Sequence, residues 1–261
     1  MLALIVRSVL AFCLTGSLVS AEEKKPEPDK KPEPPRVTLV SPLGVAAGST
    51  NIVKIRGVNL TNSPTLQFPS LQAPPEINIK SVGKVEVPKE MEAKKVGDTQ
   101  IELELKLPSP TPAGPLPFVI VTPEGRSPTN TIEVIDAAQW VEEREPNDGF
   151  RKPQNIRLPA TISGGIQGAN DVDVFRFEGR AGEQLIAEVH AASRGSSLDS
   201  VLTLYDERGH VLAVNDDSST GRDSTLHVKL PRDGVYFLGL IDAHDKGGVT
   251  HVYLLKGRLE R

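Results

Sequence analysis

Gln100-Ile101-Glu102-Leu103-Glu104-Leu105-Lys106-Leu107 alternates without a break. Ile101, Leu103, Leu105 and Leu107 point one way, and Gln100, Glu102, Glu104 and Lys106 the other. A strict period of two describes a strand in a sheet with one buried and one wet face. Shorter stretches of the same kind lie on both sides. Val37–Val40 runs into a turn at Ser41-Pro42, and Asn51–Arg56 alternates and stops at Gly57. Leu116–Val121 and Thr131–Ile135 follow. Thirteen prolines between Pro42 and Pro128 exclude long helices there. Only Glu86–Lys95 has room for a short helical turn.

The second half repeats the theme. Strands are predicted at Ala160–Ile166, Val172–Phe177, Gln184–His190, Val201–Tyr205, Val211–Val214, Ser224–Leu230, Val235–Ile241 and Thr250–Lys256. They are separated by turn formers such as Gly164-Gly165, Asp206-Glu207-Arg208-Gly209, Asp233-Gly234 and Gly247-Gly248. Short strands at this spacing build a sandwich or jelly roll. The expected class is all-β: two tandem β-sandwiches, the first Ig-like and the second jelly-roll-like. The absence of a long amphipathic helix argues against α/β nucleotide-binding architectures.

The N-terminus has the form of an export signal. Arg7 precedes an apolar run from Val9 to Val19, and Val19-Ser20-Ala21 has the small-x-small form of a cleavage site, placing the cut after Ala21. The run is too short for a spanning helix, so a retained anchor is the weaker alternative. Phe12 before Cys13 does not fit a lipoprotein signal. Cutting there removes the only cysteine, leaving no disulfide and no thiolate chemistry. Residues 22–35, EEKKPEPDKKPEPP, hold five prolines and nine charges and read as an extended tether. Arg36–Gln139 balances 10 basic against 10 acidic residues, whereas Trp140–Arg261 has 15 against 19. No basic face suited to nucleic acid is present.

Residues 36–136 resemble the IPT/TIG branch of immunoglobulin-like domains. The resemblance rests on Val40-Ser41-Pro42, Ala47-Gly48-Ser49-Thr50 and Val53-Lys54-Ile55-Arg56-Gly57-Val58-Asn59-Leu60. Gly48 and Gly57 are expected to adopt backbone angles closed to other residues. After an acidic linker at 137–152, residues 153–261 resemble the bacterial pre-peptidase C-terminal (PPC) domain, whose pattern begins in that linker. The ordered matches are Glu143-Arg144-Glu145-Pro146-Asn147-Asp148, Gly168–Phe177, Ala181–Leu185, Leu198–Asp206, Asn215-Asp216-Asp217 and Asp233–Leu238.

Four oxygen-bearing side chains, Glu143, Glu145, Asn147 and Asp148, fall within six residues, and Pro146 disfavours helix at Glu145. In an extended chain Glu143, Glu145 and Asn147 share a face. Carboxylates that close repel unless a cation lies between them, and calcium accepts six to eight oxygens in forgiving geometry. In Asp171–Phe177 the odd positions share a face, with Phe175 and Phe177 in the core and the aspartates at the strand's entry. In collagen-binding members of the PPC family calcium is held between the Glu/Asn/Asp segment and aspartates of such a strand. The resemblance therefore implies calcium, as a structural ion, at Glu143, Glu145, Asn147, Asp148, Asp171 and Asp173. The register of Asn170, Asp171 and Asp173 is open by one residue. Without an ion, the same residues form a solvated linker and an Asp-rich turn. Asp216-Asp217-Ser218-Ser219 reads as a turn first and a weaker ion site second.

No Gly-x-Ser-x-Gly elbow, zinc-binding His-Glu-x-x-His or phosphate-cradling glycine loop occurs. His190, His227 and His251 are placed in strands, and His210 and His244 near turns, with no acid partner identifiable. Tyr205, Tyr236, Phe237 and Tyr253 either line a binding face or fill the core. The expectation is a secreted, non-catalytic binding or adhesion protein, periplasmic or at the cell surface. Its partner would be an extracellular protein or polysaccharide, with no nucleic acid and no membrane span in the mature chain. The alternative is an accessory or chaperone-like subunit of a separately encoded secreted peptidase or other hydrolase.

Overall fold

A computed structural model describes residues 32–219 and 221–261. The export signal and residues 22–31 of the tether lie outside them. Glu33–Arg261 packs as one compact unit, and its architecture is all-β.

The alternating stretch around Leu103 forms the strand Thr99–Lys106, between Thr50–Val58 and Glu76–Lys84, with Arg36–Ser41 beyond Thr50–Val58. Ile101, Leu103 and Leu105 are fully buried, while the four residues alternating with them are half exposed, as the period of two requires. The facing sheet has the order Gly44–Ala46, Asn130–Ile135, Gly114–Thr122, Thr65–Gln67. Val53, Ile55, Phe118 and Ile120 fill the space between the sheets.

A second pair of sheets follows. One runs Trp140–Glu142, Ala160–Gly165, Val252–Glu260, Gln184–His190, Thr225–Lys229. The other runs Gln154–Asn155, Asp173–Gly179, Gly234–Asp242, Ser200–Asp206, Val211–Asn215. Phe175, Phe177, Tyr236 and Tyr253 lie in the core between them. Tyr236, Phe237 and Tyr253 are thus buried; Tyr205 alone of the four aromatics is half exposed, packed edge-on against Phe150.

Several expectations need correction. Gly57 has no unusual backbone angle. It is glycine because any Cβ would strike the Arg36 carbonyl oxygen, and the left-handed angle falls instead on Asn59 (φ 60°). Gly48, at φ 75°, does need its freedom. The last strand begins at Val252 rather than Thr250, so His251 lies in the turn before it. The segment Glu86–Lys95 contributes only the helical turn Ala93–Val96. The stretch expected as a linker supplies a strand, Trp140–Glu142, parallel to Thr161–Ser163.

The joint between the sandwiches is packed. Leu39, Leu43 and Ile135 from the first meet Leu254 from the second, with Trp140 and Val252 against them. Beside this cluster Glu133, 7% exposed, accepts from Arg194 at 2.8 Å and Lys256 at 2.9 Å. Both cations come from the second sandwich, so the ion triad spans the joint.

Candidate cation-binding site

The strand Trp140–Glu142 leads the chain along the second sandwich, and the Glu143 N–H still donates to the Ser163 carbonyl at 2.9 Å. The chain then leaves the sheet and turns across the end of the sandwich. Asn147 pins it there: its backbone carbonyl accepts from the Val174 N–H at 3.0 Å, next to Asp173. Two further bonds shape the turn, from the Asn147 N–H to Glu145 Oε2 (3.0 Å) and from Asn147 Nδ2 to Glu143 Oε1 (3.2 Å). The acidic segment is therefore held against the entry of the strand Asp173–Gly179.

All six residues singled out in the sequence meet here. Glu143, Glu145 and Asp173 each offer one oxygen, all within 4.8 Å of one another. Glu145, Asp148 and Asp171 form a second such triad, so Glu145 belongs to both. Asn170 takes a left-handed turn (φ 60°) just before Asp171. Asp171 is oriented by the Gln167 N–H, which donates to its Oδ2 at 2.5 Å. Gly164 leaves room for the arrangement, since a Cβ there would stand 2.5 Å from the Tyr253 hydroxyl and 2.7 Å from the Glu143 Cβ.

Two groups in the site are incompletely paired. Asn147 and Asp173 are both 0% exposed. Among the described residues, Asn147 Oδ1 and Asp173 Oδ1 have no hydrogen-bond partner. Asp173 Oδ2 accepts from the Tyr253 hydroxyl at 2.5 Å. An unpartnered oxygen buried this deeply costs about 1–3 kcal/mol, more when it carries charge. The electrostatics agree. Burial, then repulsion from Glu145 and Asp171, pushes Glu143 up to about 7. Burial pushes Asp173 up to about 8 against the lowering effect of the Tyr253 bond, and smaller repulsions from Glu143, Asp171 and Glu145 add to it. Glu145 is raised by loss of solvent, then by Asp171 and Asp148. Carboxylate oxygens brought this close, beside two buried oxygens without donors among the described residues, form a cluster that a hard cation would satisfy.

Tyr253 was missed as a member of this site. It lies 80 residues from Asp173 in sequence, and nothing local marks it. Three other buried aspartates resolve differently. Asp206 accepts the N–H groups of Arg208 (2.8 Å) and His210 (3.0 Å) and an Arg232 guanidinium N–H (2.6 Å). Asp223 takes those of Ala191, Ala192 and Ser193, and Asp242 those of Asp199, His244 and Lys246. Burial raises Asp206 and Asp242, but these donors outweigh it and hold both below the usual range. Acid partners also exist for two histidines: Asp206 for His210 at 3.2 Å and Asp199 for His244 at 3.6 Å. Asp216–Ser219 forms a turn, bridged between Ser218 and Gly221, and contributes to neither carboxylate triad.

Residues 171–241 match the family model of the bacterial pre-peptidase C-terminal domain. The match opens at Asp171, so the segment Glu143–Asp148 precedes it. Among curated proteins, a probable subtilase-type serine protease of Deinococcus radiodurans is 44% identical over 101 residues. That alignment spans 38% of this chain and only 14% of the protease. Solved structures include the pre-peptidase C-terminal domain of a Bacillus anthracis collagenase, at 15% identity and TM-score 0.31, covering 41% of this chain and 94% of that one. A second is the Bacteroides ovatus protein SGBP-B of a mixed-linkage glucan utilization locus, in complex with a heptasaccharide. It stands at 10% identity and TM-score 0.26, covering 86% of this chain and 74% of its own. Among the described residues no helix is long and apolar enough to cross a membrane.

Proposed function

We propose that this chain is an exported, non-catalytic binding protein whose second sandwich closes around calcium. An N-terminal signal would be cleaved after Ala21, and the first sandwich would be an IPT/TIG-like module. The partner would be an extracellular protein or polysaccharide. One observation carries the calcium reading: Asn147 Oδ1 and Asp173 Oδ1 are buried without partners where five carboxyl groups converge. Calcium fits because it takes many oxygens at once and tolerates irregular geometry. Glu143, Glu145 and Asp173 with Asn147 would form one lobe, and Glu145, Asp148 and Asp171 the other. The ion would fasten the connecting segment to the sandwich and cancel its repulsion.

Thermal melting with calcium and with chelator tests this. A hundredfold excess over the dissociation constant stabilises by about 2.7 kcal/mol, or several degrees for a domain of this size. An unchanged midpoint overturns the calcium reading. Glu145→Gln and Asp173→Asn each remove the shift.

A second reading, an accessory subunit of a separately encoded secreted hydrolase, draws support from the Deinococcus relative, most of which lies outside the matched segment. Co-purification of a peptidase with the tagged chain from its native host supports it. Recovery of the chain alone, with saturable binding to an extracellular polymer, favours the first reading.

A further inference from the structure

The seam between the sandwiches holds a groove of about 580 Å³ beside the cation cluster, with which it shares Glu143. Trp140 and Val252 line it where they pack on the joint cluster, and the first sandwich contributes Ile52, 61% exposed. Its acidic residues are Glu142 and Glu143, and no lysine, arginine or histidine lines it. Glu142 is exposed, and its carboxylate has no ion pair or hydrogen bond among the described residues; only its backbone carbonyl is used, by Gln154. An aromatic wall, an exposed aliphatic side chain and an unpaired carboxylate thus share one concave surface.

We infer that this groove takes a cationic side chain, arginine or lysine, presented by an extended peptide. This names the partner class for the binding function proposed above and rests on that reading. The charge balance selects the occupant. Glu142 stands outside both carboxylate triads, so an ion held in the neighbouring cluster does not neutralise it, and no lysine, arginine or histidine among the described residues lines the groove to do so. The groove wall therefore stays negative at Glu142 with or without calcium. An anionic polymer is repelled, and a neutral saccharide gains nothing from the excess charge. A guanidinium gains twice, by stacking on an indole and by pairing with a carboxylate.

Trp140 is the only tryptophan of the chain, so its fluorescence reports on the groove directly. The chain is titrated with acetyl-Gly-Arg-Gly-amide, with the same peptide carrying citrulline, and with cellohexaose, each in calcium and in chelator. The arginine peptide is expected to change Trp140 emission saturably and to weaken with added salt. Citrulline weakens binding at least tenfold. Glu142→Gln does the same while leaving the calcium shift in melting midpoint intact, because this exposed residue belongs to neither triad. Equal responses to arginine and citrulline, a response to cellohexaose alone, or none at all overturns the inference. An arginine response without any calcium shift would leave the groove standing and remove the calcium reading; the reverse pattern would do the opposite.

Discussion

The two sandwiches have apolar cores of the same kind, but they treat buried charge differently. In the first, Arg56 donates to the carbonyls of Val96, Glu86 and Gly97 at 3.2, 2.8 and 3.1 Å, and Glu133 has its two cations. Both are satisfied from within the chain. In the second, Asp206, Asp223 and Asp242 are satisfied by backbone N–H groups, whereas Asp173 keeps one oxygen bare and meets further carboxylates. A buried carboxylate surrounded by donors organises a turn. One surrounded by other carboxylates asks for something the chain does not supply.

The largest test of this contrast is a truncation in the first core. Leu103→Ala removes a fully buried side chain and costs about 2–5 kcal/mol, and the loss read by denaturant unfolding is the same with calcium as with chelator. A loss that depends on calcium would mean the sandwiches do not separate in this way. Tyr253→Phe comes next. It strips Asp173 of its one donor, at about 1–3 kcal/mol, and the loss is larger in chelator than in calcium, where the ion takes over the exposed charge. Equal losses would show that the Tyr253–Asp173 bond is indifferent to the ion.

A third test is the pH dependence of the calcium-free form. Glu143 and Asp173 have folded values of about 7 and about 8, above those of the unfolded chain. At these two groups the folded state therefore holds more protons, and their contribution to stability is full below about pH 4 and drains away as pH rises toward 8. In chelator the melting midpoint falls over that window. Asp173→Asn flattens the fall, and saturating calcium reverses it near neutrality. Because burial lowers His190 and His251 and so works the other way over this window, the comparison decides: a profile between pH 5 and 8 in chelator that Asp173→Asn leaves unchanged would contradict the crowding of these acids.

Legibility followed locality. Thr99–Lys106 was readable because one face is dry and the other wet. Glu76–Lys84 was not, because its side chains are exposed or half-buried along its whole length and no alternation survives at that sheet edge. Gly44–Ala46 is buried throughout and too short to show a period. At the site, the acidic segment and the paired aspartates each announced themselves within a few residues. Tyr253 and the donors of Asp206, Asp223 and Asp242 depend on how distant strands are laid together, which no local pattern records.

The placement of Val252–Glu260 has a consequence for how the molecule forms. It sits mid-sheet between Ala160–Gly165 and Gln184–His190, so Ala160 pairs with Gly257 and Leu185 with Leu259 across most of the domain's length. Closing such long loops is slow, and nothing rewards it until the strand is seated. Until then both neighbours present raw edges, and Tyr253 has not yet reached Asp173. Maturation of the proposed ion site is thus tied to the seating of this strand, and a nascent chain would hold the full set of candidate ligands in place only after its sheet had been zipped shut.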